Sequence, residues 1–179
     1  MSAALLRCAR CLPLPGRLGA LWVVFAAAAC QPAFNQPVAA PALDEPFFRC
    51  HVQRVLTRSC AMFACHGGDG RNGTGSRYFQ VYAPNRLRLP SFAVTNLNMP
   101  LTAQERAANL AAASAMVDVA DPAASYLLLK PLEQQSGGLF HRGAELYMQG
   151  NVFTDRQDPD FKVLQDWVNG AKESPSCVD

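Results

Sequence analysis

The sequence predicts a mostly α protein, one small helical domain with long loops. Three observations carry that expectation. Phe48, His51, Val52, Val55 and Leu56 recur at helical spacing. Three further helix starts are marked by caps, at Thr102, Asp121 and Asp158. Strand-like alternation is confined to a short run between Arg77 and Leu89.

Met1–Ala29 has the parts of a secretion signal. Arg7, Arg10 and Arg17 supply a basic start, and Leu18–Ala29 is apolar but shorter than the roughly 20 residues that span a bilayer. Ala26-Ala27-Ala28-Ala29-Cys30 resembles the lipobox of bacterial lipoproteins, with Ala27 where those carry Leu. That resemblance implies lipidation at Cys30. With Gln31 rather than Asp following, it also implies a lipid-anchored protein of the cell envelope, at the outer membrane, facing the periplasm or the cell surface. The alternatives are an ordinary signal peptide and an N-terminal membrane anchor.

Removing the signal takes Lys+Arg from 16 to 13 against 14 acids, a formal charge of −1. No basic stripe remains, so no nucleic-acid partner is expected. Residues 30–45, with Pro32, Pro37 and Pro41, read as an extended tether. About 130 residues follow, enough for one domain, 46–179.

The first helix covers Pro46–Arg58 and leads into Ser59-Cys60-Ala61-Met62-Phe63-Ala64-Cys65-His66-Gly67-Gly68. Two thiols ending in Cys-His are the signature of covalent c-type haem attachment, here with four intervening residues instead of two. Each thiol meets one porphyrin vinyl, and the adjacent His66 serves iron as the proximal ligand. Ala61–Ala64 would arch outward, and Gly67 and Gly68 would let the backbone pass close under the ring. The competing reading is a local Cys60–Cys65 disulfide with an ordinary loop histidine. Zinc would need two more ligands at suitable spacing. His51, on the helix stripe, reads as a packed histidine.

The glycines between Gly67 and Gly75 form a loop without the Lys-Ser/Thr of a phosphate cradle. Arg77–Leu89 could be a short strand or an extended wrap along a haem edge. Its Arg86 and Arg88 could pair propionates or face solvent. Met99-Pro100 offers a thioether, the alternative distal ligand. Thr102 and Glu105 form a capping box for a helix from Ala103 to about Val117. Asp121-Pro122 opens a short helix, Ala123–Lys130, stopped at Pro131. His141, framed by Gly138 and Gly143, is nominated as the distal axial ligand, with Met148 and Met116 behind Met99. Asp158-Pro159 starts the last helix, which ends at Asn169 before Gly170 at the C′ position. There Trp167 would pack on the first helix. Cys50 and Cys177 remain as an even pair expected to form a disulfide, worth about 4–5 kcal/mol in the chain-entropy picture.

With these segments placed, the chain resembles a group of bacterial secreted cytochrome c-like lipoprotein domains. The resemblance spans about residues 46–172. It rests on Val52–Leu56 with Cys60 and Cys65-His66-Gly67, on Pro122–Lys130, on Gly138-Leu139-Phe140-His141-Arg142-Gly143, and on Leu164-Gln165-Asp166-Trp167-Val168-Asn169-Gly170-Ala171. Ala144 stands where that group has a further glycine. The resemblance implies a cytochrome c-like helical fold, covalent haem c, and one-electron transfer to a redox partner protein, without an enzymatic reaction. The rival is a haem-free envelope lipoprotein, stapled by disulfides and acting as an interaction or scaffold module. No Ser/His/Asp set or carboxylate pair supports hydrolytic chemistry.

Overall fold

The computed structural model describes residues 42–68, 79–89, 97–141 and 151–174, all within one compact unit, 39–179. The signal 1–29, Cys30, the first part of the tether, Met148 and Cys177 lie outside the described residues. No described helix is long and apolar enough to cross a membrane.

The first helix, α1, runs over 45–60 without a break in helical backbone. It is entered through Asp44, whose carboxylate accepts the Phe47 N–H at 2.8 Å. Two turns of α1 are widened to π geometry, Phe48–Val52 and Leu56–Cys60. The second closes with the Ala61 N–H on the Leu56 carbonyl at 3.0 Å. Thr57 helps to loosen the ladder here, because its hydroxyl donates to the carbonyls of Gln53 and Arg54 at 2.9 and 3.1 Å. The helix therefore extends two residues past Arg58 and ends on Cys60. Its start corrects the tether boundary. Leu43 packs on the core, and the Ala42 and Asp44 carbonyls accept from Lys172 and Trp167. Residues 42–45 thus belong to the domain.

α2 is Ala103–Ser114, with the capping box of Thr102 and Glu105 formed in both directions. The expected 123–130 helix is split. Pro122–Ala124 makes a 3₁₀ turn, Ser125 leaves helical backbone, and α3 is Tyr126–Leu129. Asp121 makes no side-chain cap; the Ser125 hydroxyl instead accepts the Asp118 N–H, and its carbonyl receives Leu128 and Leu129. α4 is Pro159–Val168, capped by the Asp158 carboxylate on the N–H groups of Asp160 and Phe161. It stops where Gly170 takes φ +87°.

Trp167 and Phe48 join the two ends of the domain, ring centroids 5.2 Å apart and both fully buried. The indole N–H donates to the Asp44 carbonyl at 2.9 Å, so the buried polar atom is satisfied. His51 lies beside this crossing, paired with Glu173 at 2.5 Å and packed on Phe47, so it is a surface-linking histidine and not a ligand. Cys50 is buried and disulfide-bonded. Among the described residues there is no strand; Leu132 and Phe153 make one isolated parallel bridge.

The extended run 79–89 is pinned from α2. Asn109 accepts the Tyr82 N–H at 2.8 Å and donates to the Tyr82 carbonyl at 2.9 Å, as a neighbouring strand would. Arg88 is buried and meets Glu105 in a two-pronged pair, 2.8 Å on each prong. Its guanidinium also donates to the carbonyls of Leu97, Met99 and Pro100. This corrects the solvent reading of Arg88: its side chain is buried and its guanidinium is taken up by Glu105 and backbone carbonyls. Burial alone would raise the Glu105 pKa. Arg88 and the N–H groups of Thr102 and Leu89 overcome that and hold it at about 2, from 4.5.

The depressed carboxyl gives a signed pH dependence. Its contribution, on the order of 3 kcal/mol, is fully present above about pH 4.5 and is lost as pH falls through about 2. Urea midpoints measured between those values should fall steeply for the native chain. Glu105→Gln should flatten that slope and lower stability at neutral pH by about 3–5 kcal/mol, because Arg88 is then buried without its counter-charge.

Candidate haem site

The last π turn of α1 places Cys60 on the inside of the domain, where it is 8% exposed. The chain then closes a tight loop. The His66 N–H returns to the Cys60 carbonyl at 3.1 Å, and the Cys65 and Gly67 N–H groups both reach the Met62 carbonyl. Met62 and Phe63 point outward, 48% and 64% exposed, as the expected arch requires, while Ala61 is buried. Gly67 is required by the loop itself. A Cβ there would stand 1.9 Å from the Ala61 carbonyl oxygen, so the glycine is needed for the loop to close on its own backbone. Gly68 meets the Phe63 carbonyl in the same way, at 2.6 Å.

That closure presents His66 to a cleft of about 340 Å³, within the range of ligand pockets. Cys60, Cys65, His66 and His141 all line it. Phe79, Leu127, Phe140, Val152 and Leu164 make its walls apolar. Both thiols are free; the Cys60–Cys65 staple is not formed. Burial pushes the Cys60 thiol up to about 12, with the Cys65 sulfur and Asp160 adding to the effect. Burial raises Cys65 as well, opposed by the nearby Arg86. Both sulfurs are therefore protonated at neutral pH.

The two histidines are brought together from segments 75 residues apart in sequence. Their rings are inclined by only 11°, with centroids 6.0 Å apart. Both rings face the same cleft, so one group held there would be within reach of both. His66 is oriented for this. Its Nδ1 donates to the Phe79 carbonyl at 2.8 Å, which leaves Nε2 as the nitrogen with the free lone pair on a ring that lines the cleft. Burial lowers the His66 pKa; the Phe79 carbonyl opposes this and His141 adds to it. Burial lowers His141 too, helped by the Lys130 charge. Neutral imidazoles are the form that ligates metals.

His141 arrives by a separate route. The Leu139 N–H donates to the Leu129 carbonyl at 2.8 Å, and Gly138 approaches the Leu132 carbonyl so closely that a Cβ would sit 1.9 Å away. The glycine at 138 thus serves backbone packing. Met99 is placed elsewhere: it does not line the cleft and is 52% exposed. Met116 does line it. Arg86 is engaged with the Thr57 carbonyl at 2.8 Å, beside the cleft but not in its lining. Among the described residues, no group of three or more His, Cys, Asp or Glu side chains could hold a bare metal ion. The donors present, two thiols and two imidazoles around an apolar cleft, fit a covalently attached haem.

Sequence reasoning did not find Phe79 or Lys130. A backbone carbonyl acceptor carries no side-chain signature, and Lys130 read as a helix end and as the last position of the Pro122–Lys130 resemblance, with no role at the site. No family model, curated protein or solved structure matches this chain.

Gly67→Ala should distort the loop that carries both thiols and His66. A stability loss of about 1–3 kcal/mol is expected, from overpacking against backbone that cannot step aside. Urea unfolding monitored by Trp fluorescence measures it; a loss below about 0.5 kcal/mol would mean the loop closes otherwise.

Proposed function

We propose that this chain is a c-type haem protein that passes single electrons at the cell envelope, in a mostly helical, cytochrome c-like domain. One observation carries the proposal: Cys60, Cys65, His66 and His141 converge on one apolar cleft, with the two imidazoles near-parallel and 6.0 Å apart.

Haem would bring two vinyl groups for the thiols, becoming haem c on attachment, and an iron that alternates between Fe(II) and Fe(III). The chain's own residues do the rest. The free Cys60 and Cys65 S–H groups would add across the vinyls, each sulfur bonding one carbon while its proton goes to the other. His66, locked by the Phe79 carbonyl, would hold the iron through Nε2. His141, lining the same cleft, would be its second imidazole. Iron held by both would have no position left for a substrate, which favours electron transfer over substrate chemistry. Burial among the apolar walls favours the neutral form of both histidines. Lipidation at Cys30 would hold the domain at the membrane, and the disulfide-bonded Cys50 would pair with Cys177. Glu173, four residues before Cys177, already contacts His51 beside Cys50. A protein redox partner would accept or supply the electron. The free Cys60 and Cys65 thiols speak against the scaffold alternative at this loop.

The full chain, expressed with a haem-attachment system, should retain a Soret band after acid–acetone extraction. Cys60→Ala with Cys65→Ala should lose it. A colourless wild-type protein would overturn the proposal. In the loaded protein His141→Ala should convert a low-spin spectrum to a high-spin one; an unchanged spectrum would move the distal role to Met116.

A further inference from the structure

The two imidazoles are held in very different ways, a contrast whose meaning rests on the proposal that this cleft takes haem. His66 is fixed three times: by Nδ1 on the Phe79 carbonyl, by its N–H on the Cys60 carbonyl, and by its own carbonyl receiving the Val81 N–H at 2.8 Å. Among the described residues, neither ring nitrogen of His141 has a hydrogen-bond partner. A metal-bound histidine ordinarily has its second nitrogen anchored by an acceptor. The anchoring that the described residues give His141 comes through the backbone that carries it.

That backbone is gripped from the end of α3. The Leu129 carbonyl takes the Leu139 N–H at 2.8 Å, and the Lys130 Nζ donates to the Phe140 carbonyl at 3.0 Å. The Phe140 ring is 48% exposed, so packing fixes it poorly. The Lys130 ammonium is itself steadied over the Tyr126 ring, 5.8 Å from its centroid, and Pro131 is buried directly behind. Lys130 and Tyr126 both line the cleft.

The geometry points to Lys130 as the positioning residue for His141: its ammonium latches the Phe140 carbonyl and so keeps the imidazole parallel to His66 across the cleft. The latch is one charge-assisted hydrogen bond near solvent, far weaker than the threefold fixation of His66.

The test uses the full chain with Lys130→Met, which keeps the stem and loses the donor, and Lys130→Arg, which keeps a donor. In the haem-free protein, diethyl pyrocarbonate modification located by mass spectrometry compares the two histidines. Lys130→Met should speed modification of His141 by about fivefold and leave His66 unchanged, and Lys130→Arg should stay near the native rate. Equal rates in all three proteins, or an equal rise at both histidines, would overturn the latch. In the haem-loaded protein Lys130→Met should add a high-spin fraction that Lys130→Arg removes; a fully low-spin Lys130→Met protein would also overturn it. If no variant retains haem, the electron-transfer reading fails while the modification rates still decide the latch.

Discussion

The loop from Cys60 to Gly67 closes on its own backbone, and the rest of the site depends on that closure. Eight residues must leave a helix, display two thiols to one side, and turn an imidazole toward the same space. They do so because the Gly67 Cα lies against the Ala61 carbonyl, where no side chain fits. The π turn at the end of α1 supplies the other half of the constraint, carrying the helix through to Cys60 before the loop begins. Without either, His66 and the thiols would not line one cleft.

Support for that loop comes from a distance. His66 is oriented by the Phe79 carbonyl, and Phe79 belongs to a run with no partner strand among the described residues. Asn109 of α2 grips Tyr82 three residues later, and Gln53 of α1 accepts from the same Asn109 amide at 3.2 Å. Farther along, Arg88 and Glu105 tie residues 88–89 to 97–102. Buried polar groups do the work of a sheet here. Each is costly to leave unpaired, so together they specify one path for a segment that hydrophobic burial alone would leave free to slide.

Much of this was legible in the residues, and the gaps have physical causes. The helix-face periodicity and the caps at Thr102 and Asp158 were readable because they are local rules, acting within four residues. Asp121-Pro122 misled for the same reason: the local signal was present, but the Ser125 hydroxyl and carbonyl took the partners. Arg88 could not be placed from sequence, since its burial depends on a glutamate 17 positions away that also serves a cap. Cys60, Cys65 and His66 were legible as a unit because they are adjacent. His141 was legible only as a histidine among glycines. That it lies opposite His66 is a long-range fact, set by α3 and by the Leu129–Leu139 contact.

The cleft lining carries one charged side chain, Lys130, and its sign agrees with the two histidines beside it. The chain has three histidines, and the two in the cleft are the two that burial disfavours as cations. Lys130 stands at the lip, where its positive charge further opposes protonation of His141 while its donor holds Phe140 in place. A carboxylate at that position would do the reverse on both counts: it would favour the imidazolium and repel the Phe140 carbonyl. The residue that steadies the second imidazole is thus of the one sign that also leaves that imidazole a base, and a single side chain couples where His141 stands to what it can bind.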